Sequence, residues 1–294
     1  MKTKSNENIS DFSRLMMILR LLSYLPLRML YIFSDFFFFV GYYVLRYRYK
    51  VIRNNISNSF PEKTTLEIEK IIKEFYSHLA DYVFETIKLL TISGEELNQR
   101  MKFKDQDKLN RFIEKQVPLI GLSSHNFNWE WVLVSANANL AIKWDFVYMP
   151  VTASWLDQLL LQIRTRFGGF PIKRMELGRE LIRRKDVFRG IAILGDQFPG
   201  HQNDKYYWKT FLHQRTVFNG AVNQLPFTTQ YPVIMFNCQK IKRGYYEGTF
   251  EIIGEPPHQK DFLAIDIYAE KLEKLIQSNP SNWLWSHKRW KDVD

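Results

Sequence analysis

Cysteine is nearly absent: Cys238 stands alone among 294 residues. No disulfide can close within the chain and no zinc site can be assembled from several thiolates, which fits a reducing compartment. Glycine and proline, at 13 and 11, are too few for a fibrous or low-complexity chain. Intrinsic disorder is excluded in turn, because 46% of the residues are hydrophobic and 16% aromatic, enough to bury a large core. Common catalytic and ligand signatures are missing as well. There is no G-x-S-x-G elbow, no H-E-x-x-H pair, no P-loop and no EF-hand loop. Neither an internal repeat nor a flexible linker is visible.

What is present in excess is positive charge, 41 Lys+Arg against 31 Asp+Glu. Its placement matters more than its size. Residues 1–60 hold nine basic and three acidic groups, whereas residues 61–280 hold 29 and 26 and are close to balance. A basic collar beside an apolar helix predicts attraction to anionic headgroups. A nucleic-acid binder would concentrate its cations on one folded face, so nucleic acid is not expected as a partner.

Residues 15–48 are intensely apolar and aromatic but are interrupted by Arg20, Arg28 and Asp35, and their longest uncharged stretch is Phe36 to Leu45. That falls short of the ~18 uninterrupted apolar residues of a clear spanning helix. No small-residue cleavage site follows, so a secretory signal fits poorly. The segment reads as a membrane-anchoring helix, broken near Pro26, that either lies in the interface or spans weakly. The competing reading is an amphipathic helix in a soluble core; Phe36 to Phe39, apolar on every face, argues against it. The basic run Arg46, Arg48, Lys50 and Arg53 would sit in the headgroups and place the body on the cytoplasmic side. The chain therefore divides near residue 50 into an anchor, 1–50, and a body, 51–294.

In the body, residues 53–60 read as a turn and 64–90 as an amphipathic helix, followed by a polar connector over 91–116. From 117 onward strand and helix patterns alternate. Strands are predicted over 117–122, 142–148 and 190–194, with a pair over 232–240 and 245–253; helices over 129–138, 155–167, 176–185, 219–229 and 264–277. The alternation predicts an α/β sandwich with a mostly parallel central sheet flanked by helices.

Of six histidines only His125, in GLSSHNFNWEW, follows a strand-like run and precedes a helix-like one. Glu130 lies five residues on, and on a continuous helix that spacing separates two side chains by about 140°. The two converge only if His125 occupies the turn and Glu130 the first helical turn. A carboxylate there would fix the imidazole tautomer and leave the second ring nitrogen as a base. Free N–H groups at the helix start would serve an oxyanion. The plain alternative is a structural histidine beside an unrelated glutamate. Arg164, Arg166 and Arg174 are candidates for phosphate groups, against an ordinary solvated basic face. Asp196 and Gln197 either line a site at a strand end or cap the next element. Trp283, Trp285 and Trp290, with the cations around them, form either an interfacial belt or a strap on the core. Cys238 reads as an inert core thiol.

The H-x4-E spacing of HNFNWE resembles the H-x4-D/E motif of the lipid A biosynthesis late acyltransferases, the lauroyl- and myristoyltransferase family. Further segments resemble that family in order: LPLRMLYIFSD, RNNISNSFPE, IRTRFGG, LGDQFPG and NPSNWLWSHKRWK. The chain departs from it at Met149, where a basic residue is frequent, and at His213, where glycine is usual. The resemblance implies a glycerophosphate-acyltransferase-like fold on the cytoplasmic face of a bacterial inner membrane. It implies transfer of a fatty acyl group from acyl carrier protein to a hydroxyacyl chain on a lipid A precursor, without metal or other cofactor. His125 would be the base and Glu130 its orienter, with Arg164, Arg166, Arg174, Asp196 and Gln197 binding substrate. A same-fold enzyme acting on a lysophospholipid or glycolipid is the rival reading.

Overall fold

The computed structural model describes residues 3–199 and 206–291. A seven-stranded sheet runs through the body. Its strands are β1 (Met101–Phe103), β2 (Leu119–Ser123), β3 (Trp144–Tyr148), β4 (Pro171–Lys173), β5 (Gly190–Leu194), β8 (Val233–Lys242) and β9 (Tyr245–Gly254). A separate antiparallel hairpin supplies β6 (Tyr206–Phe211) and β7 (Gln214–Asn219). The large sheet is ordered β1-β9-β8-β2-β5-β3-β4, and every pairing in it is parallel except the β8–β9 hairpin.

Alternation along the strands divides the core in two. In β8, Val233 and Met235 face one apolar cluster while Ile234, Phe236 and Cys238 face the other. The first cluster gathers helices Tyr49–Ser59, Ala221–Thr229 and Ala264–Ser278 with the β6–β7 hairpin. The second gathers Trp129–Asn139, Ser154–Thr165 and the N-terminal helix Leu27–Phe39. Helices on both faces of a mostly parallel sheet keep its strands out of water, as such sheets require.

Helix Thr65–Lys88 joins the two clusters. It starts at a capping box, in which Thr64 Oγ1 accepts from Glu67 N–H and Glu67 accepts from Thr64 N–H. Its first half packs Ile68, Ile72 and Phe75 into one cluster, and its end packs Phe84 and Ile87 into the other. The N-terminal apolar segment lies along it. Helix Thr3–Tyr24 ends just before Pro26, and Leu27–Phe39 continues as a π-helical turn, Val40–Val44. Leu27 and Leu30 are buried against the body, and Asp35 pairs with Arg243 at 2.6 Å.

Several segments differ from the expectation. Residues 53–59, expected as a turn and helix entry, already belong to helix Tyr49–Ser59, because Ile52 and Ile56 give one face a core to bury into. The polar connector contains helices Gly94–Arg100 and Asp107–Glu114 and the edge strand β1, held by pairing with β9. The β6–β7 hairpin and short β4 were likewise unmarked by any long apolar run. Trp283 and Trp285 are buried, so the C-terminal tail is a strap on the core and not an interfacial belt. Asn55 fastens it by donating to the carbonyls of Trp285 (2.8 Å) and His287 (2.9 Å).

Glycine is required where Trp144 crosses the sheet. A Cβ at Gly190 would stand 2.2 Å from the Trp144 ring, and one at Gly121 2.6 Å. Gly190→Ala should therefore cost about 1–3 kcal/mol through overpacking, visible as a lower urea midpoint with an unchanged slope.

Candidate active site

The central pairing of the sheet creates the site. Strands β2 and β5 run parallel with Ser123 opposite Leu194. Two residues beyond each strand end, His125 and Asp196 are brought together by that register. Asp196 Oδ1 lies 2.7 Å from His125 Nδ1, and its Oδ2 accepts from His125 N–H at 2.8 Å and from Trp283 Nε1–H at 2.7 Å. The carboxyl is wholly buried. Burial alone would raise it, but the facing imidazole and the bonds from His125 and Trp283 outweigh burial and hold it below the usual carboxylate range.

The carboxylate on the His125 ring is thus Asp196 and not Glu130. Glu130 sits in the first turn of helix Trp129–Asn139, whose N-cap is Asn128, accepting from Trp131 N–H. From there it meets Arg164 in a two-point ion pair, with Nε to Oε2 at 2.8 Å and Nη2 to Oε1 at 2.5 Å. Trp129 Nε1–H donates to the same carboxylate at 3.1 Å. Burial opposes ionisation of Glu130 too, and Arg164 overcomes it, so this carboxyl also lies below its ordinary value. The expected bond from Glu130 to the imidazole is not formed, because a separation along the chain does not reveal which carboxylate a neighbouring strand delivers.

Both arms reach one cavity of about 390 Å3. Its lining carries the polar residues Ser123, His125, Glu130, Arg164, Arg174 and Gln197 and apolar ones that include Ala136, Trp144, Ala192 and Phe236. The His125 side chain keeps 15% of its surface exposed. With Nδ1 bonded to Asp196, Nε2 is the ring nitrogen left for a substrate. Arg174 lines the cavity and donates to the Pro199 carbonyl at 2.9 Å. Arg166 turns elsewhere, donating to the carbonyls of Leu89 and Ile92 behind helix Thr65–Lys88. Gly200, the last residue of the LGDQFPG run, and His201 lie outside the described residues.

The loop is held in place by further residues, of which Glu85 and Tyr246 lie outside every quoted motif. The His125 and Phe127 N–H groups are already used, by Asp196 and by the Asn282 carbonyl (2.8 Å), so neither is free for an oxyanion. Buried Glu85 accepts from Asn128 Nδ2 (3.0 Å), from Tyr246 O–H (2.7 Å) and from Tyr31 O–H (2.8 Å). It ties the active loop, strand β9 and the N-terminal helix to one carboxyl, which burial pushes upward. His287, in the strap, is pushed down to about 4 by burial and stays neutral at pH 7. Cys238 is buried with its thiol pushed up to about 12, also by burial, and is inert. Among the described residues no group of His, Cys, Asp or Glu is arranged to hold a metal ion.

An imidazole bonded to a buried carboxylate, lining a cavity that also carries arginines and many apolar side chains, is chemically suited to proton transfer on a substrate with a long hydrocarbon part. The family match is in keeping with that class. The chain belongs to the bacterial lipid A biosynthesis acyltransferases, whose family model matches residues 9–292, nearly its whole length. It is an acyltransferase of that family. No curated protein matches it.

The depressed Asp196 carboxyl predicts a pH signature. A carboxyl lowered on folding contributes stability above its unfolded value of ~3.9, and that contribution is lost as pH falls further through the folded value. Asp196→Asn should cost roughly 1.5–3 kcal/mol near pH 7, as for a hydrogen bond to a charged group. The gap in melting temperature between the two proteins should be full above about pH 5 and narrow progressively below about pH 4.

Proposed function

We propose that the protein transfers a fatty acyl group from an acyl carrier protein thioester to the hydroxyl of a hydroxyacyl chain on a lipid A precursor. The observation that carries the reading is His125, fixed through Nδ1 by buried Asp196 while it lines a cavity with many apolar side chains. Asp196 holds the tautomer in which Nε2 is unprotonated. Nε2 takes the proton of the acceptor hydroxyl as its oxygen attacks the thioester carbonyl. The tetrahedral intermediate then expels the thiolate of the carrier, which recovers the proton from His125. The acyl group passes directly between substrates, so no covalent enzyme intermediate forms and the step as written uses no cofactor.

Arg164, held in place by Glu130, supplies positive charge beside the reacting oxygen, because the His125 and Phe127 amides are already engaged. Arg174 and Gln197 serve the polar part of the acceptor. The apolar part of the lining, which includes Trp144, takes the acyl chain.

The N-terminal segment is read as the membrane contact. Residues Leu27–Val44 are long and apolar enough to cross a bilayer. One face of the segment is docked on the body, while Ile32, Phe36, Phe39 and Val44 remain exposed to meet lipid. Arg46, Arg48 and Lys50 follow it, the position of headgroup-binding cations on the cytoplasmic side of an inner membrane.

His125→Ala, with folding and membrane binding retained, should lower turnover roughly 10²–10⁴-fold in an assay with acyl carrier protein thioesters and a tetra-acylated acceptor; near-normal turnover would remove the mechanism. Ala192→Phe should move the preferred donor to a shorter acyl chain, read from a panel of thioesters. Mass spectrometry of lipids from a deletion strain should show lipid A lacking one acyl chain. An unchanged lipid A with an altered phospholipid or glycolipid would favour another acceptor on the same fold.

A further inference from the structure

A second apolar surface stands at the mouth of the cavity, contributed by parts of the chain far from the N-terminal helix. Strands β3 and β4 run parallel with Tyr148 opposite Lys173, so the loops that leave them start side by side at Met149 and Arg174. Both loops line the cavity, through Met149, Val151, Arg174 and Leu177. Next to these lining residues, large apolar side chains stand in water: Met149 is 61% exposed, Met175 80% and Ile182 75%. Trp155, at the start of helix Ser154–Thr165, is also exposed.

These apolar tips alternate with cations. Lys173, Arg179 and Lys185 are all exposed. Through the turn Arg174–Glu176 and helix Leu177–Arg183, Met175 and Arg179 are four residues apart, and Arg179 and Ile182 three, which sets them side by side on a helical surface. Protruding apolar groups with lysine and arginine between them match the boundary of headgroup and acyl chain, where the tips enter hydrocarbon and the cations meet phosphate. A protein partner would be matched by a surface depleted in lysine.

We infer that this rim is a second lipid-contact surface, seated on an anionic leaflet so that the cavity opens at the depth where the acceptor's acyl chains begin. The inference rests on the reading of the acceptor as a membrane lipid. It gives that lipid a route from the bilayer to His125 without leaving apolar surroundings. The N-terminal helix holds the protein to the membrane, and the rim aims it.

The test places an environment-sensitive fluorophore at Met175→Cys in the full chain, since buried Cys238 is shielded from labelling. The same label at Lys274→Cys, on exposed surface of helix Ala264–Ser278, is the control. Vesicles containing phosphatidylglycerol should blue-shift and brighten the Met175 label, less so at high salt, and leave the control unchanged. A Met175 label that does not respond overturns the inference, whether or not the protein sediments with the vesicles. A response to acyl carrier protein in place of vesicles also overturns it, in favour of a protein-docking surface. In the double variant Met175→Glu, Ile182→Glu, turnover of acceptor embedded in vesicles should fall at least tenfold while turnover of detergent-dispersed acceptor is retained. Equal rates on both forms, or equal losses, would count against it. If the unaltered protein turns over no hydroxyacylated acceptor, the proposed reaction fails, and the fluorescence still decides whether the rim meets lipid.

Discussion

The register of β2 against β5 is the constraint on which the site depends. Both strands end at the same level, and the chain runs two residues further in each before turning, to His125 in one and Asp196 in the other. A slip of one position would separate the imidazole from its carboxylate and leave a charge buried without a partner, a state that costs several kcal/mol. Close packing fixes the register. Trp144 fits only against the bare backbones of Gly121 and Gly190, and Tyr268 O–H donates to the Ser123 carbonyl at 2.7 Å. The chemistry is thereby set by the core of the sheet, and the loop inherits its precision from the strands.

Two buried carboxylates divide the work around this point. Asp196 answers the imidazole and Glu130 answers Arg164, and in both cases a specific positive or hydrogen-bonding partner outweighs the cost of burial. The arrangement leaves His125 and Arg164 lining the same cavity, each held by a buried carboxylate. The His125 and Phe127 amides are engaged in holding the loop. That division of roles follows from the partners each carboxyl finds.

The N-terminal helix is bonded into the body of this architecture. Its polar stripe, Tyr31, Ser34 and Asp35, bonds Glu85, Asp81 and Arg243 of the body, and Glu85 in turn holds the side chain of Asn128, which caps the active helix. One of the charged interruptions that weaken it as a spanning segment is thus accounted for: Asp35 docks on Arg243. Its exposed phenylalanines and the Met149–Met175 rim leave two apolar surfaces on one body, one on the N-terminal helix and one beside the cavity.

The sequence by itself determined the alternating elements, the mostly parallel sheet, the loop that carries His125 and the family, because periodicity, strand-to-helix transitions and ordered motifs are local properties of the chain. It offered Asp196 as lining a site, Arg164 as a partner of phosphate and Glu130 as the partner of His125. Tertiary structure alone decided the actual partners. Residues 71 positions apart, His125 and Asp196, meet only through strand pairing, and the Glu130–Arg164 pair spans 34 positions between two packed helices. It likewise turned Arg166 to the back of the fold and made a strap of the tryptophan-rich tail, whose composition suits a membrane interface equally well. Composition and spacing describe what a segment can do; which neighbour it meets is set by the register and packing of elements distant along the chain.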